Sequence, residues 1–154
     1  MGRALQAEAE DPNLVGALVF GLGAAFVSSL LWYGIVVVTN YQLGIVAIAV
    51  GWLVAQGVMR GAGGKRGPRL QALSVTSTVI AMALSEYLIV YHFTAQALAQ
   101  QGYTSIPLLL PFDVMITLIV EGLKSDPLML LFWGIAVWEA FTLPAARGLR
   151  RAKP

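Results

Sequence analysis

The sequence lacks cysteine, has a single histidine and is poor in charge. Its 154 residues include no Cys, and only 12% are charged, against roughly 25% in a soluble domain. The absence of Cys excludes disulfides, thiolate catalysis and cysteine-ligated metals, and His92 alone cannot form a typical zinc site. Because so few charges cannot cover a surface in water, the composition predicts an integral membrane protein, and we expect no cofactor and no metal.

Long apolar runs make up most of the chain. The first, residues 14–39, is uncharged and roughly 39 Å long as a helix, which exceeds the ~30 Å hydrocarbon core of a bilayer. The polar break at residues 40–42 is so short that the helices on either side of it must be antiparallel neighbours. We predict an all-α integral membrane protein with one domain, residues 14–146, containing four transmembrane helices at about 14–39, 43–59, 70–93 and 127–143.

Two Asp-Pro pairs indicate where helices begin. Asp11-Pro12 precedes the first apolar run, and Asp126-Pro127 precedes the last. Asp can accept hydrogen bonds from the free N–H groups of a first helical turn, and Pro is favoured at the first helical position. We therefore expect an Asp cap at the start of both helices.

The extracytoplasmic segment, residues 94–126, is predicted to contain a short amphipathic helix. From residue 112 onward, polar side chains recur on one side of a helix, at Asp113, Thr117, Glu121 and Lys124. This helix is too short to span, so we expect residues 106–124 to lie at the outer membrane face or across the mouth of the bundle. A re-entrant segment is the alternative.

The cations cluster on one side of the predicted membrane. Nine of the ten Lys and Arg residues lie on that side, and only Lys124 lies on the other. Under the positive-inside rule, the leader 1–13, the loop 60–69 and the tail 147–154 are cytoplasmic, as are both termini. Topology explains these cations, so we expect no nucleic-acid partner. Seven are assigned to topology and lipid-headgroup contact: Arg60, Lys65, Arg66, Arg69, Arg147, Arg150 and Arg151.

Small residues form stripes on the first two predicted helices. Such stripes let helices approach closely in a membrane, although Gly and Ala are also common there without any special role. We expect a tightly packed hairpin, and we expect the mid-depth Trp52 to pack between helices. The predicted packing residues are Ala17, Gly21 and Ala24 on the first helix and Gly44, Ala47 and Gly51 on the second.

Glu86 and Glu139 are the only acids inside predicted spans, so each is a functional hypothesis. Helical rise places them roughly 11 Å and 18 Å below the outer edge, which disfavours a shared proton unless Ser85, Thr78 or water relays it. The alternative is that each acid is neutral and hydrogen-bonded, and that Ser and Thr bond their own helix carbonyls. For His92 we expect interfacial hydrogen bonding, because it lies roughly 10 Å from Ser85, too far for a nucleophile–base pair. An enzyme is therefore the least favoured class.

Part of the chain resembles a group of small uncharacterised bacterial inner-membrane proteins. The resemblance rests on residues 39–51 (TNYQLGIVAIAVG), the Gly/Arg-rich loop after them, and residues 85–88 (SEYL). The group is similar in having a Gly-rich helical hairpin followed by a basic glycine loop. The resemblance implies a bacterial inner (cytoplasmic) membrane location and supports the hairpin, and it implies no activity.

Two functions remain open on the sequence alone. We expect a structural or accessory subunit of a larger membrane complex or a homo-oligomer, with membrane lipids and a protein partner or a second copy as partners. The alternative is a small transporter or channel that uses Glu86 and Glu139 along a polar path. Too few polar groups converge to favour transport, although a pore at an oligomer axis would need few per chain.

Overall fold

The computed structural model describes residues 13–41 and 43–145, which form five α-helices and no strand. Predictions for the leader up to residue 12, and for Arg147, Arg150 and Arg151 in the tail, lie outside the described residues. The helices are α1 (Leu14–Thr39), α2 (Ile45–Gly61), α3 (Pro68–Gln100), α4 (Phe112–Ser125) and α5 (Pro127–Thr142).

The ends of α1 are set by two asparagines. The Asn13 side chain accepts a hydrogen bond from the backbone N–H of Gly16 at 3.0 Å, so the residue after the predicted Asp-Pro pair is the cap. At the other end, Asn40 has a left-handed backbone (φ 54°) and its N–H bonds the carbonyl of Val36. Asn is one of the few non-glycine residues that tolerate this conformation, and it stops the helix here.

The loop between α2 and α3 is shorter than predicted. Helix α2 continues through Arg60 to Gly61, and α3 already begins at Pro68. The intervening turn uses Gly63 and Gly64 at φ +76° and +77°, which other residues adopt only with strain. Pro68 at the first helical position then restarts the chain as a helix.

Helix α3 is longer than predicted. It has 33 residues and runs to Gln100, about 50 Å, whereas the predicted span ended at residue 93. The residues after Phe93 are polar, but Ala, Leu and Gln are good helix formers, and no glycine interrupts them before Gly102 at φ +94°. Falling hydropathy marked the end of the apolar stretch, which is not the end of the helix.

The last two helices begin near the predicted residues. Helix α4 starts at Phe112, and α5 starts at Pro127, where the Asp126 side chain accepts from the N–H of Leu128 at 3.1 Å. The Asp-Pro start is therefore confirmed for α5. Helix α4 has no buried residue and packs only against α3 and α5 among the described elements.

The helices are arranged so that α2 and α3 form the centre. Both pack against each other, against α1 on one side and against α5 on the other, and α1 and α5 do not contact each other. The backbones of Gly16 and Gly61 approach closely, and the N–H of Gly67 bonds the carbonyl of Pro144 at 2.9 Å. The start of α1, the end of α2, the start of α3 and the end of α5 therefore share one end of the bundle, here called the basic end.

The outside of the bundle is more apolar than the surface of a protein folded in water. Polar side chains are buried among the helices, and large apolar side chains cover the outside, as with Phe20, Phe26 and Leu31 on α1. The buried polar residues are Ser28, Ser29, Ser74, Ser77, Thr78, Ser85 and Glu86. Helices α1 and α3 are long and apolar enough to cross a membrane, whereas α2 and α5 are apolar but shorter, with 17 and 16 residues.

Candidate functional site

A cavity at the end of the bundle away from the basic end contains the buried acid Glu86. The side chain of Glu86 is only 1% exposed, and it lies on α3 at a cavity of about 330 Å³. Three more polar residues line the same space, Asn40 at the end of α1, Thr94 on α3 and Ser125 at the end of α4. The space is large enough to hold water beside the carboxyl group.

Helix α4 forms one wall of this cavity, through Gly122 and Ser125. Gly122 lies so close to Glu86 that a Cβ at this position would overlap the carboxyl oxygen Oε1 and would lie 3.2 Å from the side chain of Val90. The neighbouring Leu123 packs against the hydrophobic core. The amphipathic helix therefore contacts α3 at Gly122, and the carboxyl group of Glu86 forms part of the contact surface.

Two tyrosines hold the segment before α4 against α3. The Tyr91 hydroxyl donates to the carbonyl of Ile106 at 2.7 Å, and the Tyr87 hydroxyl donates to the carbonyl of Leu108. Their rings are 6.1 Å apart, as expected for an i,i+4 pair on one helix. Since Tyr87 adjoins Glu86, the same stretch of α3 positions both the acid and the segment that leads into α4.

His92 is engaged by α1. Its Nδ1 lies 3.1 Å from the Tyr33 hydroxyl, and the two rings meet edge to face with centroids 5.7 Å apart. This hydrogen bond joins α1 and α3 near the Glu86 cavity, in which the next residue, Phe93, is part of the lining. His92 thus makes a hydrogen bond of the kind expected from its position, and its partner is a side chain of another helix.

The other predicted polar residues lie inside the bundle. Ser85 donates to the carbonyl of Ala81 on its own helix at 2.8 Å. This bond satisfies the hydroxyl without any functional role. Thr78 is fully buried, and its hydroxyl has no hydrogen-bond partner among the described residues. Glu139 is half-buried on α5, and its Oε2 likewise lacks such a partner. Neither Thr78 nor Glu139 lines the Glu86 cavity.

The predicted small residues serve two different helix contacts. On α1, Ala17 and Gly21 are buried, and Ala24 lies 2.7 Å from where a Cβ at Gly57 of α2 would stand. The stripe on α2 faces α5 and not α1, because a Cβ at Gly51 would lie 2.6 Å from the carbonyl oxygen of Ala136 on α5. A Cβ at Gly44 would overlap the ring of Phe132 on α5, and Ala47 is fully buried.

Arg66 has a structural partner that the sequence did not indicate. Its guanidinium donates to the carbonyl of Leu143, at the end of α5, and Gln71 donates to the carbonyl of Phe141 at 2.8 Å. A cation that satisfies the last carbonyls of a helix also complements the negative end of its dipole. The loop therefore caps α5, while Arg60 and Arg69 are exposed at the same end and Lys65 is partly buried.

Sequence reasoning missed the residues that surround Glu86. Gly122 had no signal beyond its place on the polar edge of an amphipathic helix, and Asn40 was taken only as part of a turn. In residues 13–41 and 43–145, no group of three or more His, Asp or Glu is placed to hold a metal ion. Comparison with family models, curated proteins and solved structures finds no match to this chain.

Proposed function

We propose that this protein is a four-span membrane protein that acts as a structural or accessory subunit of a larger membrane complex or a homo-oligomer. The single observation that carries the membrane part is the apolar outside of a bundle that also encloses seven polar side chains. Burying seven Ser, Thr and Glu side chains while exposing Phe, Leu and Val is unfavourable in water and natural in hydrocarbon. Lipid is thus the solvent that this surface fits.

Support for four crossings comes from the way the helices share their ends. Helices α2 and α5 are about 26 Å and 24 Å long, a little less than the ~30 Å core, and a short helix is accommodated by local thinning at modest cost. Each runs beside a longer apolar helix between the same two ends of the bundle. The positive-inside rule then assigns the basic end to the cytoplasm, and we place the protein in a bacterial inner membrane.

The subunit role is supported by the sparsely packed α4 and α5. Helix α5 buries only three of its residues, and it exposes an aromatic pair, Trp138 (67%) and Phe141, whose ring centroids are 6.4 Å apart. Trp is enriched among the residues that contribute most of the binding energy at protein interfaces. Helix α4 has no buried residue and exposes Phe112 and Ile116. A partner, or a second copy, would cover these faces.

The assembly mass tests the subunit role. Purified in a mild detergent from its native membrane, the 16.5 kDa chain should migrate with a partner or as a homo-oligomer. Trp138→Ala should weaken that assembly on the order of thirtyfold, the effect of losing an interface hot spot. Phe26→Ala, which removes an exposed aromatic from α1, is the matched control and should leave the assembly intact. A wild-type protein that is a lone monomer would contradict the proposal.

The Glu86 cavity favours a second candidate, a small transporter or channel. A single buried carboxyl group beside space for water can take up and release a proton or hold a small cation. Proteoliposomes should then show an ion or proton flux that Glu86→Gln abolishes. Glu121→Gln, which changes an exposed carboxylate paired with Lys124 at 3.3 Å, should leave the flux unchanged. Equal flux in both variants would exclude a role for the cavity.

A further inference from the structure

We infer that the outer groove between α1 and α2 binds one anionic phospholipid, with an acyl chain along the groove and the phosphate at Arg60. The groove has a volume of about 540 Å³ and is lined by apolar side chains over most of its length, including Val27, Leu31 and Leu53. Its hydrogen-bonding lining is concentrated at one end, where Gln56 and Arg60 lie on α2. Ser28, also in the lining, donates to the carbonyls of its own helix.

Small residues create the groove. Gly57 brings α2 so close to α1 that a Cβ there would lie 2.8 Å from the carbonyl oxygen of Phe20, so the two backbones form a floor. Gly23 leaves open space above that floor, because a Cβ at this position would meet nothing within 4 Å. Trp52 stands at the side and is 45% exposed, so it lines the groove where we had expected it to pack between helices.

The dimensions fit an acyl chain of one leaflet. From Val19 to Leu31 the α1 side of the groove is about 18 Å long, close to the ~15 Å that is half of a bilayer's hydrocarbon core.

The charge lies where a headgroup would be. Arg60 is in the last turn of α2, at the basic end, and one turn beyond Gln56 along the same face. A guanidinium can donate two parallel hydrogen bonds to a phosphate, and the Gln56 amide can donate a third. A lipid with net negative charge is favoured over a zwitterionic one, because none of the described residues that line the groove is an acid that could pair with a positive headgroup.

This inference rests on the membrane placement proposed above but on neither the subunit role nor transport. Native mass spectrometry of the detergent-purified protein, titrated with phosphatidylglycerol or phosphatidylcholine of identical chains, measures lipid retention directly. We expect phosphatidylglycerol to be retained about fivefold more strongly than phosphatidylcholine, because one cation contributes about this factor at a membrane surface. Arg60→Gln should remove this preference. Lys124→Gln, at the other end of the bundle, should preserve it.

A pair of glycine variants tests the groove itself. Gly23→Leu places a side chain in the open groove and should lower retention of both lipids on the order of tenfold, the effect of expelling two methylene groups. Gly34→Leu is the control, because position 34 of α1 is equally open and lies outside the groove. Equal retention in the two variants would overturn the inference. So would a Gly23→Leu protein that binds lipid normally but loses an oligomer, since a second copy would then occupy the groove. A chain that needs no detergent would instead refute the membrane placement.

Discussion

The close contact between Gly51 and Ala136 should make Gly51→Ala destabilising. Gly51 lies in the middle of α2, and a Cβ there would stand 2.6 Å from the Ala136 carbonyl oxygen and 3.2 Å from its carbonyl carbon and Cα. Ordinary contact begins at 3.4 Å, so Gly51→Ala must separate α2 and α5 by about 0.8 Å. The obstacle is backbone, which cannot change rotamer to make room.

Two opposing effects decide the sign of the Gly51→Ala change. Replacing Gly by Ala in a helix gains about 1 kcal/mol of intrinsic helix propensity, and overpacking a tight contact costs about 1–3 kcal/mol. Since the obstacle is backbone, we take the upper part of that range and expect a net loss of about 1–2 kcal/mol. For a chain of this length the melting temperature should fall by about 2–8 °C.

The assay is thermal unfolding in one detergent, followed by far-UV circular dichroism. Gly34→Ala is the matched control, because it makes the same chemical change on an apolar helix and its Cβ would meet nothing within 4 Å. Its melting temperature should be unchanged or higher. If Gly51→Ala melts at or above Gly34→Ala, the close approach of α2 and α5 is not what stabilises the bundle, and the reasoning fails.

Two further predictions concern the two ends of the bundle. Arg66→Met keeps the aliphatic stem but removes the donor to Leu143, so it should destabilise the protein by about 1.5 kcal/mol, measured in the same melting assay, whereas Lys124→Met at an exposed site should have little effect. Tyr91→Phe should release the segment before α4 and speed limited proteolysis between residues 101 and 111, whereas the exposed Tyr41→Phe should leave the cleavage rate unchanged.

Most helix starts and ends could be predicted from capping residues and the spacing of polar side chains. The Asp126-Pro127 start of α5 and the start of α4 at Phe112 lie where the pattern placed them, because capping and amphipathic spacing act within a single turn. The end of α3 was misjudged, because hydropathy reports the end of a membrane-compatible stretch and the helix itself continues while Ala, Leu and Gln allow it.

Contacts between helices were harder to predict from the sequence than helix boundaries. The small residues of α2 were expected to face α1, yet Gly44 and Gly51 face Phe132 and Ala136 of α5. A stripe shows that one side of a helix can approach another closely, but every neighbouring helix is an equally suitable partner. Arg66 is a similar case, since the carbonyl that it caps is 77 residues away in the sequence.

By itself, the sequence determined that the described chain is all-helical and that its surface is apolar, because periodicity, caps and composition are properties of neighbouring residues. Only the tertiary structure decided that α2 and α3 occupy the centre, that Gly122 lies against the acid at Glu86, and that α1 and α2 leave a groove ending at Arg60. The physical reason is that helix packing depends on the shapes of facing surfaces. Residues distant in sequence create those shapes together, and no local pattern records which of them will meet.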